Sequence, residues 1–366
     1  MIKPLTSLRF IFAFMVFLYH IDLINHIESP LIRILHRDYF QEGQVGVSFF
    51  FILSGFILST VYSEKLLQNK IDKSFFLVSR LARIYPLHLF TLILFAAISV
   101  KSLIAYPVQS MLYFVYNVLL IKSFFPAIEI YYSYNGPSWS ISDELFFYVC
   151  FPFIITYIER ISLERQITFI MFLVVILITG MMFFPSEYDV AAIFKISPFV
   201  RIIDFYIGIV CYKLSIKIPD LKVATATFLE LLSILLFVLA FFFHYYIPEV
   251  YRFSIYYWLP MAVIIIIFSK QKGFFSAILS NNILILLGEI SFSFYLLQLV
   301  IFRYIDSLYK YNILRIENDY LSILFHFTTV LVASFFVYKL VEKPLTLWIK
   351  NKFLSLRSGI INTANS

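Results

Sequence analysis

The sequence predicts an all-α, polytopic integral membrane helical bundle of about ten transmembrane helices plus one short re-entrant or interfacial segment. Three observations predict it. Of 366 residues, 61% are hydrophobic and 14% charged, and mean hydropathy is +0.88; soluble domains carry roughly 25% charge. Apolar stretches near the roughly 20-residue bilayer length recur from one end to the other. Lys and Arg gather at Lys65–Arg83, at Lys213–Lys222, at Lys270 and Lys272, and after Glu342, which the positive-inside rule makes cytoplasmic.

Apolar segments run at 5–24, 45–63, 81–100, 108–121, 139–158, 167–184, 196–212, 224–245, 254–268, 283–305 and 320–341. Five of these lie between the basic loops at 64–83 and 213–222. Two loops on one side of a membrane are separated by an even number of spans, so one of the five does not cross. The stretch 108–121 is the shortest for a span and leads into the aromatic, proline-bearing loop FFPAIEIYYSYNGPSW. It is expected to be re-entrant or interfacial over 108–138, lining a cavity or buried by protein. Both termini are then cytoplasmic, and residues 346–366 form a basic tail after a membrane domain over 1–345.

The first segment holds Arg9 and His20, eleven positions apart, which returns them to one helix face about 16 Å apart along the axis. Ionisable groups inside a span are costly and point to function; a snorkelling arginine and a histidine bonded to a neighbouring helix is the plain alternative. The second segment, FFFILSGFIL with Ser48, Ser54 and Gly55, reads as packing. The third opens with RLARIYPLHLF, where Arg80 and Arg83 stand three apart on one face. Two guanidiniums so placed suit phosphate or carboxylate oxygens, although basic residues there also act as topology determinants.

The segment 139–158 opens with Ser138, Trp139, Ser140, Ser142, Asp143 and Glu144. Hydroxyls and acids at a helix start satisfy capping and the dipole. Glu144, several residues in and followed by LFFYVCF, can also turn into the bundle and orient a histidine; Asp143 points about 100° away. In RIIDFYIG, Arg201 and Asp204 can pair within their helix while Gly208 permits close packing. LGEISFSFYLLQ gives a polar edge through Glu289, Ser291, Ser293 and Gln298. Cys150 and Cys211 read as buried small hydrophobes. No metal-ligand spacing, Walker loop, dinucleotide loop or serine elbow occurs, so neither metal chemistry, hydride transfer nor ATP hydrolysis is expected. The net charge of +7 belongs to basic loops beside membrane lipid rather than to nucleic-acid binding.

Taken in order, the strings Arg9-x10-His20, FFFILSGFIL at 49–58, Arg80-x-x-Arg83-Ile-Tyr-Pro, SWSISDELFFY at 138–148, R-x-x-D-F-x-x-G at 201–208, LGEISFSFYLL and EKP at 342–344 resemble the membrane acyltransferase-3 family of bacterial O-acyltransferases. The resemblance implies a ten-helix enzyme of the cytoplasmic membrane that moves an acyl group, usually acetyl, from cytoplasmic acyl-CoA to a hydroxyl of a sugar or glycan. It carries catalytic roles onto Arg9 and His20 as essential active-site residues and onto Glu144 as a further functional acid, and binding of acyl-CoA onto Arg80 and Arg83. His20 is then expected to serve as general base on the acceptor hydroxyl or else as a transient acyl carrier. Within the 138–148 string, Trp139, Ser142 and Asp143 are the candidate substrate-binding residues. The chain departs from the pattern twice. Gln298 stands where relatives often have histidine, and Leu145 stands where they often have a second acid. The rival reading is a transporter or flippase of a lipid-linked sugar, which the absence of an internal repeat disfavours.

Overall fold

Nine helices among the described residues are long and apolar enough to cross a bilayer. The computed structural model describes residues 1–24, 27–185 and 188–364, with side chains as far as 355. In order the helices are α1 (Lys3–His20), α2 (Pro30–Asp38), α3 (Gly46–Leu67), α4 (Lys73–Ile98), α5 (Val100–Ala105) and α6 (Pro107–Val118), followed by α7 (Ile128–Tyr131), α8 (Trp139–Ile158), α9 (Leu163–Phe183) and α10 (Pro198–Lys217). Then come α11 (Val223–Phe242), α12 (Glu249–Arg252), α13 (Ile255–Phe268), α14 (Phe274–Leu279), α15 (Asn282–Lys310), α16 (Asp319–Val337) and α17 (Lys343–Ala364). No strand occurs among the described residues.

Helix α10, with 20 residues, is about 30 Å long and so also of spanning length. It is less apolar because it carries Arg201, Asp204, Lys213 and Lys217. Its central charges are satisfied internally. Arg201 forms an ion pair with Asp204 at 3.5 Å and donates to the Phe253 carbonyl at 3.0 Å and to Ser48 Oγ at 2.7 Å. Trp258 Nε1 donates to the same Asp204 at 2.9 Å. A buried pair at that depth costs less than two unmatched ions, and here it ties α10 to α3 and α13.

The backbones of α3 and α10 touch. A Cβ at Gly208 would lie 1.9 Å from the Ile52 carbonyl oxygen, and one at Gly55 would lie 2.0 Å from that of Phe205. Only glycine allows this approach.

Helix starts follow local chemistry. Asp72 accepts from Phe75 N at 2.7 Å to open α4, and Asn318 accepts from Leu321 N at 3.0 Å to open α16. Capping by Asp72 sets Arg80 and Arg83 two to three turns inside α4, deeper than the span start at 81 expected from hydropathy.

The 108–121 stretch folds as the twelve-residue α6, about 18 Å long and too short to span. Val108, Met111, Leu112 and Val115 are exposed along it. The loop that follows is sewn down from inside. The fully buried Lys122 donates to the carbonyls of Ser133 and Asn135 at 3.0 and 2.9 Å, and Asn135 Nδ2 reaches Leu296 O at 2.9 Å. Burial pushes the Lys122 amine well below its usual range. Of the two cysteines, Cys211 is buried and Cys150 only partly so.

The basic loops collect at one end of the bundle, together with the start of α1. Lys3 N donates to Gln271 Oε1 at 3.2 Å, Lys270 Nζ bonds the Ser215 and Ile218 carbonyls at 2.6 Å, and Lys213 pairs with Glu159 at 3.3 Å. A π-helical turn, Tyr338–Glu342, carries α16 into α17. Thr346, at the start of the tail read from sequence, is buried and donates to Ala82 O at 2.8 Å on α4. Arg357 and the tail's last side chains lie outside the described residues.

Candidate functional site

Three cavities follow one another along α1. The basal one, about 360 Å³, opens beside Thr6, Arg9, Arg83, Glu289 and Tyr338. The middle one, about 170 Å³, is walled by Arg9, Ser54, Arg80, Arg83, Glu144 and Tyr148. The far one, about 590 Å³, holds His20, Tyr19, Tyr132, Trp139, Lys195 and Arg252. Arg9 and Arg83 belong to both the basal and middle cavities. Val47 and Tyr295 form the partition shared by the middle and far ones.

The middle cavity concentrates cationic groups in an apolar bundle. Arg80 donates to Tyr62 Oη at 2.7 Å and lies over that ring. Arg83 forms an ion pair with Glu342 and lies over Phe292. Glu342 in turn accepts from Ser293 Oγ at 2.5 Å. Three guanidiniums against Glu144 and Glu342 leave the chamber net positive, and the cation–π contacts hold the side chains without neutralising them. The spacing of Arg80 and Arg83 does bring both to one wall. They do not form a parallel fork, because each is claimed by a different partner.

Helical geometry sorts the residues of α8. Ser140, Ile141, Glu144 and Tyr148 share the face that lines the middle cavity, as positions three and four apart must. Tyr148 donates to Glu144, and Ser54 Oγ donates to the same carboxylate oxygen at 3.4 Å. Ser142 and Asp143, expected to bind substrate, turn the other way. Both are completely buried and line none of these three cavities; Asp143 looks toward Ser123 and the Arg201–Asp204 pair. Trp139 alone of that trio reaches a cavity, the far one.

His20 closes α1 and faces the far cavity. Its polar neighbours are the Gln298 side chain and the Val16 carbonyl, and Tyr19 lies edge-on at 5.0 Å. Glu144 is not beside it. The expected His20–Glu144 pairing fails because eleven residues of helix separate Arg9 from His20, about 16 Å, and Glu144 lies at the Arg9 level. The Gln298 side chain, expected only to keep hydrogen bonding, lies beside the imidazole, while His20 Nδ1 and Gln298 Oε1 are both buried without a hydrogen-bond partner among the described residues. Gln298 Nε2 donates to Tyr295 O at 3.0 Å.

Sequence reasoning missed Glu342, Tyr148 and Lys195 as members of these chambers. Glu342 sits in the quoted EKP string but received no role. Tyr148 follows Glu144 by one helical turn, which was a usable signal. Lys195 stands alone between apolar residues and gave none.

Comparison with known proteins adds three matches. The chain is 32% identical over 167 residues to acyltransferase MdmB of Streptomyces mycarofaciens, covering 45% of this chain and 42% of that protein. It is 47% identical over 82 residues to protein 2 in the picA locus of Rhizobium radiobacter, covering 21% of this chain and 43% of that protein. The matched part is thus less than half the length of either relative. No solved structure matches. A family profile described as an acyltransferase domain matches residues 3–339, nearly the whole chain, and with the order of its motifs this shows that the protein belongs to the acyltransferase-3 family.

Proposed function

We propose that this protein is an O-acyltransferase of the bacterial cytoplasmic membrane. It takes an acyl group, acetyl in the simplest case, from cytoplasmic acyl-CoA and passes it to a hydroxyl of a cell-surface glycan or a lipid-linked sugar. One observation carries the reading: a net-positive chamber and a histidine-bearing chamber adjoin through the Val47–Tyr295 partition. The basic loops gathered at the α1 start make that end cytoplasmic by the positive-inside rule.

Acyl-CoA is the co-substrate in this reading. Its phosphates suit Arg80 and Arg83, whose surplus charge Glu342 only partly offsets, and Arg9 lines the same chamber. The middle chamber, about 170 Å³, is too small for a whole nucleotide, so most of the CoA would stay outside it on the basal side. His20 accepts the proton of the acceptor hydroxyl as that oxygen bonds to the thioester carbonyl carbon. The carbon–sulfur bond then breaks, and the CoA thiolate leaves to take up a proton. General base action of this kind contributes about 10²–10⁴-fold in rate. Gln298 would hold the ring and its tautomer. Glu144 belongs with the donor and Arg9 rather than with the base.

The test is release of free CoA by purified protein supplied with acetyl-CoA and glycoside acceptors. Acceptor-dependent release that vanishes in His20→Ala supports the reading. Full release by His20→Ala, or none from any acyl-CoA, defeats it; a transporter or flippase would release none.

A further inference from the structure

The far cavity contains a cation that the proposed chemistry does not use. Lys195 stands on the π-helical turn Ala192–Ile196 just ahead of α10, a winding that recurs as single-turn bulges at functional sites. Its Nζ lies 3.3 Å from Tyr19 Oη, 5.2 Å from the centre of the Tyr19 ring and 5.6 Å from that of Phe253. The Tyr132 hydroxyl is its other polar neighbour. The remaining charges of this chamber are largely matched. Arg252 is paired with Glu42, Asp22 approaches His36 at 3.8 Å, and Arg303, the other cation on the lining, is exposed. Among the described residues no carboxylate forms an ion pair with Lys195, and Glu249, exposed on the same wall, acts on it only at longer range. An ammonium walled by aromatic rings and offered only hydroxyls lacks a counter-charge, which a ligand can supply.

We infer that the far cavity holds an anionic group of the acceptor, a carboxylate or a phosphate, on Lys195. The inference rests on the reading above, in which this chamber receives the acceptor, and it adds the acceptor's charge class. Lys195 Nζ donates to the anion, the Tyr19 and Tyr132 hydroxyls stand beside it as further donors, and Trp139 offers a face for a sugar ring. A volume of about 590 Å³ admits such a charged sugar unit.

The test is a binding measurement made without acyl-CoA. Purified protein in detergent is titrated with methyl glucuronide, glucose 1-phosphate and methyl glucoside while Trp139 fluorescence is followed, with Trp139→Phe as the blank. The wild type is expected to bind at least one anionic probe about tenfold or more tightly than the neutral one, the range of one charge-assisted hydrogen bond. Preference for the glucuronide assigns a carboxylate, and preference for the sugar phosphate assigns a phosphate. Lys195→Met should erase the preference while leaving affinity for the glucoside unchanged, and Lys195→Arg should keep part of it; Lys195→Gln replaces the methionine variant should that one fail to fold. Equal binding of all three probes by the wild type, or an anion preference that persists without Lys195, overturns the inference. CoA release to neutral glycosides with no anion preference removes the Lys195 assignment and spares acyl transfer. Anion preference without CoA release from any acyl-CoA does the reverse.

Discussion

Arg83 on α4 is ion-paired with Glu342, a buried carboxylate on the π-helical turn between α16 and α17. The pair joins elements about 260 residues apart in sequence, at the boundary of the basal and middle cavities. Glu342 therefore offsets part of the positive charge that a phosphate would meet. Glu342→Gln keeps the size and the bond from Ser293 while removing that charge. CoA should bind a few-fold more tightly to this variant at low salt, with a steeper loss of affinity as salt rises. Isothermal titration at two ionic strengths decides it; weaker binding would mean that Glu342 serves to position Arg83 instead.

Removing both Arg80 and Arg83 tests the donor site directly. The double alanine variant should lose about 10²- to 10⁴-fold in CoA affinity, each of its two charge-assisted bonds being worth about 1.5–3 kcal/mol. Thermal stability should fall as well, because losing Arg83 leaves the buried Glu342 carboxylate without its cation, so the affinity is measured on protein shown to be folded. Unaltered CoA affinity removes the assignment.

His20→Ala should lower transfer by about 10²–10⁴-fold yet bind CoA normally, because the imidazole and the arginines occupy different chambers. Single-turnover rates beside equilibrium CoA binding separate the two effects. A parallel loss of CoA binding would show that the chambers are not independent.

Glu144→Gln and Gln298→Leu should behave oppositely. The first changes a wall of the donor chamber, so it should alter the KM for acyl-CoA and leave the pH profile of kcat in place. The second removes the polar contact to the imidazole, so it should shift the acidic limb of that profile, where a general base loses its proton. If the glutamine variant at 144 moves the limb instead, the carboxylate acts on His20 in a state other than this one.

Gly208→Ala should cost stability rather than chemistry. The added methyl meets the Ile52 carbonyl at 1.9 Å, and backbone must shift to admit it. Overpacking of this kind costs about 1–3 kcal/mol. A lower melting temperature in detergent with unchanged KM values is the expected outcome, and an unchanged melting temperature would show that α3 and α10 separate easily.

Much of the fold was legible because bilayer physics writes itself into composition. Basic loops fixed the parity, and parity identified 108–121 as the segment that does not span. The Arg201–Asp204 pair and the close approach at Gly208 were both readable from one helix taken alone. The site was legible only as far as single-helix geometry reaches. Arg80 and Arg83 share a wall as three-residue spacing requires, but their partners come from α3 and from the turn after α16, which no local spacing reports. The same limit undid the His20–Glu144 pairing: two polar residues on different helices were joined by chemistry, whereas their depths along the helix axis set them apart. Ser142 and Asp143 turned away for a reason the sequence did contain, since 140, 144 and 148 form one stripe and 142 and 143 lie off it.

The glycine contact between α3 and α10, with Gly288 against Thr6 on α1, leaves the walls of the two chambers little freedom to slide. Between them stands a phenol, Tyr295, whose hydroxyl bonds the Pro137 carbonyl at 3.0 Å and meets Ser140 Oγ at 2.9 Å. Rotation of that one ring would join the chambers without the rocking of whole bundles, which takes microseconds or longer. On the proposed reading, such a wall would keep the bilayer sealed to ions while an acyl group changes hands across it.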